Sequence, residues 1–197
     1  MRRILAIVLA AAMMLGMSAC GAEKSAVTET TIEARKNGTI VHTIVEEFTE
    51  EYYSFDELME MITDSCTNYN ASAGKGRVVV ESVELSEGIL TAVMKYKSAD
   101  DYTAFNQVPL FTGTIQEAID AGYNMNVRLY LADGGEFTIG KEELLEMKDR
   151  HLMILREEVF VRVWNDILYH SMNVMETSDP DRVLVLNDNT LTFLVFD

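Results

Sequence analysis

The stretch RVVVESVELSEGILTAVMKYK, residues 77–97, decides the fold class of this chain. Its two halves, 77–85 and 89–97, are rich in β-branched and aromatic residues. Glu87-Gly88 lies between them and is typical of a tight turn. Two strands joined by so short a connection must run antiparallel. The stretch therefore predicts a β-hairpin, and the rest of the chain can be interpreted outward from it.

A second hairpin is predicted at the start of the domain. The runs 27–35 and 39–48 are rich in Thr, Val and Ile, and they flank Asn37-Gly38, a strong signal for a two-residue hairpin turn. A two-residue turn at this point would place Glu33 opposite His42, as a cross-strand polar pair.

Helices are predicted where capping residues precede apolar periodicity. Ser54 and Glu57 form a capping box before a helix over 55–70, and Thr114 and Glu117 form another before a helix closed by Gly122. Ser98 is expected to cap a short helix to about residue 107, and 141–148 is expected to form a fourth.

Cys66 lies on the apolar stripe of the first predicted helix. That stripe consists of Phe55, Leu58, Met59, Ile62, Cys66 and Tyr69. A free cysteine on such a stripe usually behaves as a small buried hydrophobe, so we expect a structural thiol.

The C-terminal part returns to strand signals. Runs at 127–132 and 136–139 flank a Gly-rich turn, and 182–186 and 190–196 are expected to form a last hairpin around residues 187–189. Residues 152–164 fit either a helix or a strand. Alternation at 159–164 favours strands, and a turn at Asn165-Asp166 would return the chain into 167–175 and place His170 opposite Val161.

These elements predict an antiparallel-rich α+β domain built from hairpins, with up to ten strands and three or four short helices. We assign it to residues 27–197, a length that usually makes one domain. A faint echo between 47–61 and 136–147 leaves open two similar halves, although the offsets between the matching segments differ.

The N-terminal segment has the organisation of an export signal. Arg2 and Arg3 precede an apolar run over 4–15, and small residues follow before Cys20. The sequence Met17-Ser18-Ala19-Cys20 resembles the lipobox of bacterial lipoproteins, with Met in place of the usual Leu. The resemblance implies that residues 1–19 are a signal peptide, that Cys20 carries a diacylglyceryl lipid, and that residues 20–26 form a short tether.

The same segment has a competing interpretation as a transmembrane anchor, since 4–22 carries no charge and approaches the roughly 20 residues that span a bilayer. Gly16, Ser18 and Gly21 dilute its last third, and this favours lipidation. The tether and domain resemble small uncharacterised lipoproteins of Gram-positive anaerobes. That group has no established activity, so the resemblance implies attachment at the extracytoplasmic face of a cell membrane and no mechanism.

The net charge of the chain limits the classes of partner that it is expected to bind. The sequence has 16 Lys and Arg against 32 Asp and Glu, a net charge of −16, and removal of the signal would make it two charges more negative. Nucleic acid needs a basic surface that displaces counterions, so we expect no such partner. Apart from Cys20 only Cys66 remains, so we expect neither a disulfide framework nor a thiolate metal site.

Catalytic motifs do not stand out. The sequence lacks HExxH, GxSxG, Walker A and GxGxxG patterns and the calcium loop of an EF-hand, and we assign no catalytic, cofactor or metal residues. Of the three histidines, His151 is expected to be solvated. His170 is the most interesting, although a hydrogen-bonded core histidine is the usual explanation for such a residue.

The leading hypothesis is a non-catalytic cell-envelope lipoprotein that binds or scaffolds an envelope protein, peptide or glycan. The alternative is an extracytoplasmic surface hydrolase that uses His170 and nearby carboxylates. A solute-capturing subunit of an importer is disfavoured, because such proteins usually need two lobes. A deep pocket holding His170 beside a carboxylate would favour catalysis, whereas a shallow surface with exposed tyrosines over a buried His170 would favour binding.

Overall fold

The computed structural model describes residues 28–50, 54–135, 137–186 and 189–197. The predicted signal peptide, Cys20 and the tether 20–26 lie outside these residues, so what was expected of them stays a prediction. Within the described ranges the chain forms four helices, which are α1 (Phe55–Ala73), α2 (Ala99–Asn106), α3 (Ile115–Asp120) and α4 (Lys141–Glu146).

The same ranges contain thirteen strands, more than the ten expected. In chain order they are β1 (Thr31–Ala34), β2 (Ile40–Glu47), β3 (Val78–Ser86), β4 (Ile89–Tyr96), β5 (Leu110–Thr114), β6 (Leu129–Leu131), β7 (Thr138–Ile139), β8 (His151–Leu155), β9 (Val159–Arg162), β10 (Ile167–His170), β11 (Val174–Glu176), β12 (Arg182–Val185) and β13 (Thr192–Phe196).

The strands form two sheets. One has seven strands in the order β11-β12-β9-β1-β2-β4-β3, and the other has six in the order β5-β8-β13-β10-β6-β7. Pairing is antiparallel throughout these sheets except between β1 and β9. The predicted antiparallel-rich α+β class is therefore confirmed.

The six-stranded sheet is buried on both faces. Along β8, Met153 and Leu155 pack into a cluster that includes Ile32 and Tyr96 of the seven-stranded sheet. The alternate residues of β8, Leu152 and Ile154, pack with α3 and α4. Because side chains alternate between the faces of a strand, this sheet is the middle layer of the domain.

Several local predictions are confirmed. Glu87 and Gly88, with φ of 53° and 78°, connect the paired strands β3 and β4. Thr114 and Glu117 form a reciprocal capping box at α3, and Ser98 caps α2. Cys66 is a buried free thiol in the core, and burial raises its pKa.

The predicted register of the first hairpin is wrong by one residue. Glu33 pairs with Val41, and His42 pairs with Ile32. Only Gly38 of the Asn37-Gly38 pair takes a positive φ, and the loop contains three residues, closed by Arg35 N–H to Thr39 O at 2.9 Å and Gly38 N–H to Arg35 O at 2.8 Å. A shift of one residue turns every side chain to the other face, so His42 enters the core.

Two predicted C-terminal hairpins are also wrong. β9 and β10 belong to different sheets, so His170 does not lie opposite Val161 and instead pairs with Leu194 and Tyr130. β12 and β13 likewise belong to different sheets. In both places the chain crosses from the seven-stranded to the six-stranded sheet, a connection that strand patterns and turn residues cannot distinguish from a hairpin.

Candidate functional site

His170 lies at the junction of the two sheets. It is the last residue of β10 in the six-stranded sheet, and only three residues separate it from β11 in the seven-stranded sheet. Its side chain is buried, with 8% of its surface exposed. The short connection allows Glu176, the last residue of β11, to reach the imidazole.

Both nitrogens of the His170 ring are engaged. Nδ1 lies 2.8 Å from the carbonyl oxygen of Ser171, and Nε2 lies 3.0 Å from Oε1 of Glu176. A carbonyl and an ionised carboxylate both accept hydrogen bonds, so the two contacts are satisfied together only when the ring carries both protons. In this arrangement His170 has no nitrogen left to act as a base toward a substrate.

Glu176 also holds the turn between β6 and β7. Its carboxylate accepts from the backbone N–H of Asp133 at 2.9 Å and of Gly134 at 3.3 Å. Burial by itself would raise the pKa of Glu176, but the hydrogen bonds from His170 and from these two amides together lower it. The carboxylate is therefore ionised at neutral pH and joins β10, β11 and the turn.

A second group of polar side chains is buried between α2 and the connection from β8 to β9. The hydroxyl of Tyr102 donates to Oε1 of Glu157 at 2.8 Å, and both residues are buried. The ring of His42 lies 5.5 Å from that of Tyr102, and burial lowers the pKa of His42 to about 4. Within the described residues, His42 Nδ1 is buried without a hydrogen-bond partner.

Glu157 supplies the carboxyl group of this cluster, and its pKa is strongly shifted. Burial raises its pKa to about 7, although the hydrogen bond from Tyr102 acts in the opposite direction. No positive side chain faces it within 4.0 Å in the part of the chain that the structure describes. A perturbed pKa of this kind is common at functional sites, but Glu157 is buried and lines neither of the two surface depressions described below, and the arrangement fits a core polar group.

The remaining histidine packs more than the sequence suggested. His151 was expected to be solvated, but it is half-buried, with its ring centroid 4.9 Å from that of Trp164 and 5.7 Å from that of Phe196. The polar sequence neighbours of His151 gave no hint of this, because the contacts come from β13 and from the chain after β9.

Two surface depressions have basic side chains in their walls. The larger, of about 490 Å³, is lined by Glu146, Met147, Asp149 and Arg150. The smaller, of about 250 Å³, lies at one end of the seven-stranded sheet and is lined by Thr39, Gly76, Val79, Glu81, Lys95 and Lys97. Neither contains His170.

Sequence reasoning missed this smaller depression, here called the lysine cavity. A signal was present, because Lys95 and Lys97 alternate on one predicted strand and must share a face. The net charge of −16 concealed it, since a sum over the chain says nothing about where its few cations meet.

Exposed tyrosines would have favoured a binding surface, but of the six tyrosines that the structure describes two are interior and the other four are partly buried. Tyr96 and Tyr102 are almost completely buried and pack with centroids 4.9 Å apart, while Tyr52 and Tyr53 lie outside the described residues. This pair therefore has the core-packing role that is usual for aromatic residues.

Within the described ranges, no helix is both long and apolar enough to cross a bilayer, and no three His, Cys, Asp or Glu side chains are grouped to hold a metal ion. No protein-family model, curated protein or solved structure matches this chain.

Proposed function

We propose that this chain is a cell-envelope lipoprotein, anchored through a lipid on Cys20 at the extracytoplasmic face of the membrane, whose domain is a non-catalytic binding or scaffolding module. The observation that supports a non-catalytic role is the environment of His170, the histidine best suited to acid–base chemistry. Both nitrogens of its imidazole are engaged in contacts within the protein. General acid–base catalysis needs a group that can exchange a proton with substrate.

The anchor rests on the lipobox-like sequence before Cys20, and the strongly acidic composition of the rest of the chain is consistent with a domain that lies outside the bilayer. A diacylglyceryl group contributes about 0.8 kcal/mol for each buried methylene, which is enough to hold a soluble domain stably at a membrane. The strong negative charge of the domain would keep it away from anionic lipid headgroups.

A surface hydrolase remains the second candidate because one observation favours it. Glu176 lies within hydrogen-bond distance of His170, as an acid–base pair requires. Against it, neither of the two surface depressions described above is lined by His170 or Glu176. Wild type, His170→Gln and Glu176→Gln should therefore give equal, background rates with chromogenic ester, glycoside and peptide substrates. Hydrolysis by wild type that both substitutions abolish would reverse the choice.

The anchor is tested on the native protein. Mass spectrometry should find an N-terminal Cys20 bearing a diacylglyceryl group, and the protein should partition into the detergent phase. Cys20→Ser should abolish lipid labelling, whereas Cys66→Ser should leave it unchanged. An unmodified Cys20 on a chain that still begins at Met1 would overturn the proposed location.

A further inference from the structure

Positive charge is concentrated at one end of the seven-stranded sheet. Six of the sixteen Lys and Arg residues lie in the β1–β2 turn, in the connection from α1 to β3 and at the end of β4. They are Arg35, Lys36, Lys75, Arg77, Lys95 and Lys97.

Backbone pairing brings these segments side by side. The amide of Arg35 donates to the carbonyl of Thr39 at 2.9 Å, and the amide of Lys97 donates to the carbonyl of Arg77 at 2.9 Å. Lys95 pairs with Val41 of β2 on one side and with Val79 of β3 on the other. The cations therefore come from neighbouring strands of one sheet end.

Half of the six have an acidic partner. Arg77 contacts the buried Asp101 at 2.7 Å, Arg35 contacts Glu33 at 2.9 Å, and Lys95 lies 3.5 Å from Glu81. Within the described ranges Lys36, Lys75 and Lys97 have no ion-pair partner within 4.0 Å. The local balance is positive in a domain that is strongly acidic elsewhere.

The lysine cavity lies among these groups. Lys95 and Lys97 are two residues apart at the end of β4, so both project from the same face, roughly 7 Å apart at their backbones. Thr39 also lines the cavity. Glu81 is the one acid in this wall, and it is tied to Lys95 by an ion pair whose two side chains are each 41% exposed. Such exposed pairs are weak and easily exchanged for another partner.

We propose that the lysine cavity is a binding site for a phosphate group. Lysine binds phosphate as a point charge. Two ammonium groups on one face match a dianion with three acceptor oxygens, whereas a single carboxylate would neutralise only one of them. The volume of about 250 Å³ holds a phosphate together with several atoms of the alcohol that it esterifies. A phosphate group would thus be the class of ligand for the binding role proposed above. The biological meaning of the site rests on that proposed function.

The test is calorimetric titration of the detergent-purified full chain at constant ionic strength of about 0.1 M, where longer-range charge effects are screened. The probes are inorganic phosphate, glycerol 3-phosphate and soluble dihexanoyl phosphatidic acid, with dihexanoyl phosphatidylcholine as the neutral comparison. Inorganic phosphate should bind. Tighter binding of glycerol 3-phosphate would indicate a soluble or polymer-borne ester, and tighter binding of phosphatidic acid would indicate a lipid headgroup.

Substitutions locate the binding. Lys97→Gln and Lys95→Gln should each weaken phosphate binding about threefold, as expected for an exposed charge pair, and the double substitution about tenfold. Lys141→Gln, on α4, is the control and should change nothing. Glu81→Gln should tighten binding about threefold because it removes the competing acid, whereas Glu84→Gln on the same strand should not.

Absence of phosphate binding at millimolar concentrations would overturn the site, as would equal losses in Lys97→Gln and Lys141→Gln. These results leave the lipid on Cys20 untouched. A native chain without that lipid would instead overturn the proposed location while the titrations stood.

Discussion

The phenolic hydroxyl of Tyr102 donates a 2.8 Å hydrogen bond to the carboxyl group of Glu157, and it ties helix α2 to the crossing between the two sheets. The bond joins residues 55 positions apart in the sequence, in the interior. It fixes the point at which the chain leaves β8 of one sheet for β9 of the other, and its strength depends on the protonation of Glu157.

Glu157→Gln should make the domain less sensitive to alkaline pH. Burial raises the pKa of Glu157 from 4.5 to about 7, so the folded state holds its proton more tightly than the unfolded state. The resulting stability is complete below pH 4.5 and is lost as the pH rises through 7, about 3 kcal/mol in all. Glutamine keeps an acceptor for Tyr102 and does not titrate.

Urea unfolding between pH 4.5 and pH 8.5 measures this. The wild-type free energy of unfolding should fall relative to that of Glu157→Gln as the pH rises. Glu158→Gln, a substitution of the exposed neighbouring residue, is the control and should behave like wild type. Parallel curves for all three proteins would mean that Glu157 is solvated in solution.

His42→Leu should act on the acidic side. Burial lowers the pKa of His42 from 6.5 to about 4, so the stability linked to its neutral form is present above pH 6.5 and is lost as the pH falls through 4. Leucine removes this loss, about 3 kcal/mol, and also removes a buried nitrogen that has no partner within the described residues. The acid-unfolding midpoint, followed by circular dichroism, should move to lower pH, and His151→Gln should not move it in that direction. An unchanged midpoint in His42→Leu would show that another group governs acid unfolding.

The two buried groups, His42 and Glu157, show which features of the fold could not be predicted from the sequence. The hairpin at Glu87-Gly88 and the caps at Ser98 and Thr114 were predictable, because turns and helix starts are decided by residues a few positions apart. His42 was assigned to the wrong face because one φ angle at Asn37 changes the loop length. The burial of Glu157 could not be predicted, since it depends on which sheet the next strand joins.

The surroundings of His170 and the lysine cavity could likewise not be predicted from local sequence patterns. His170 could be singled out from its apolar strand, but its partner Glu176 and the turn at Asp133 come together only because β10 and β11 enter different sheets. The lysine cavity combines three connections from separate parts of the chain. Topology, and not local pattern, decides such neighbours.

Asp101→Asn should destabilise the domain far more than Asp100→Asn. Asp101 is buried and its carboxylate accepts from Arg77 at 2.7 Å, from Tyr69 at 3.0 Å and from Ser98 at 2.8 Å. Loss of its charge removes the ion pair with Arg77 and weakens the hydrogen bonds from Tyr69 and Ser98, which costs about 2 kcal/mol, in the range for hydrogen bonds to a charged group. Asp100 is exposed, and its substitution should stay within about 0.5 kcal/mol. Urea unfolding at pH 7 compares the two, and equal effects would contradict the network.

Glu176→Gln should loosen the junction of the sheets without unfolding the domain. One oxygen remains to accept from Asp133 or Gly134, but the charge that His170 and the two amides share is lost. A hydrogen bond to a charged group contributes about 1.5–3 kcal/mol, so hydrogen exchange at the Asp133 and Gly134 amides should accelerate at least about tenfold. Exchange in β8, which is separated from β10 by β13 in the six-stranded sheet, should change little beyond any global loss of stability. Because a catalytic Glu176 would affect turnover and need not protect these amides, unchanged exchange would remove the structural role assigned to the pair and return His170 to consideration as a reactive group.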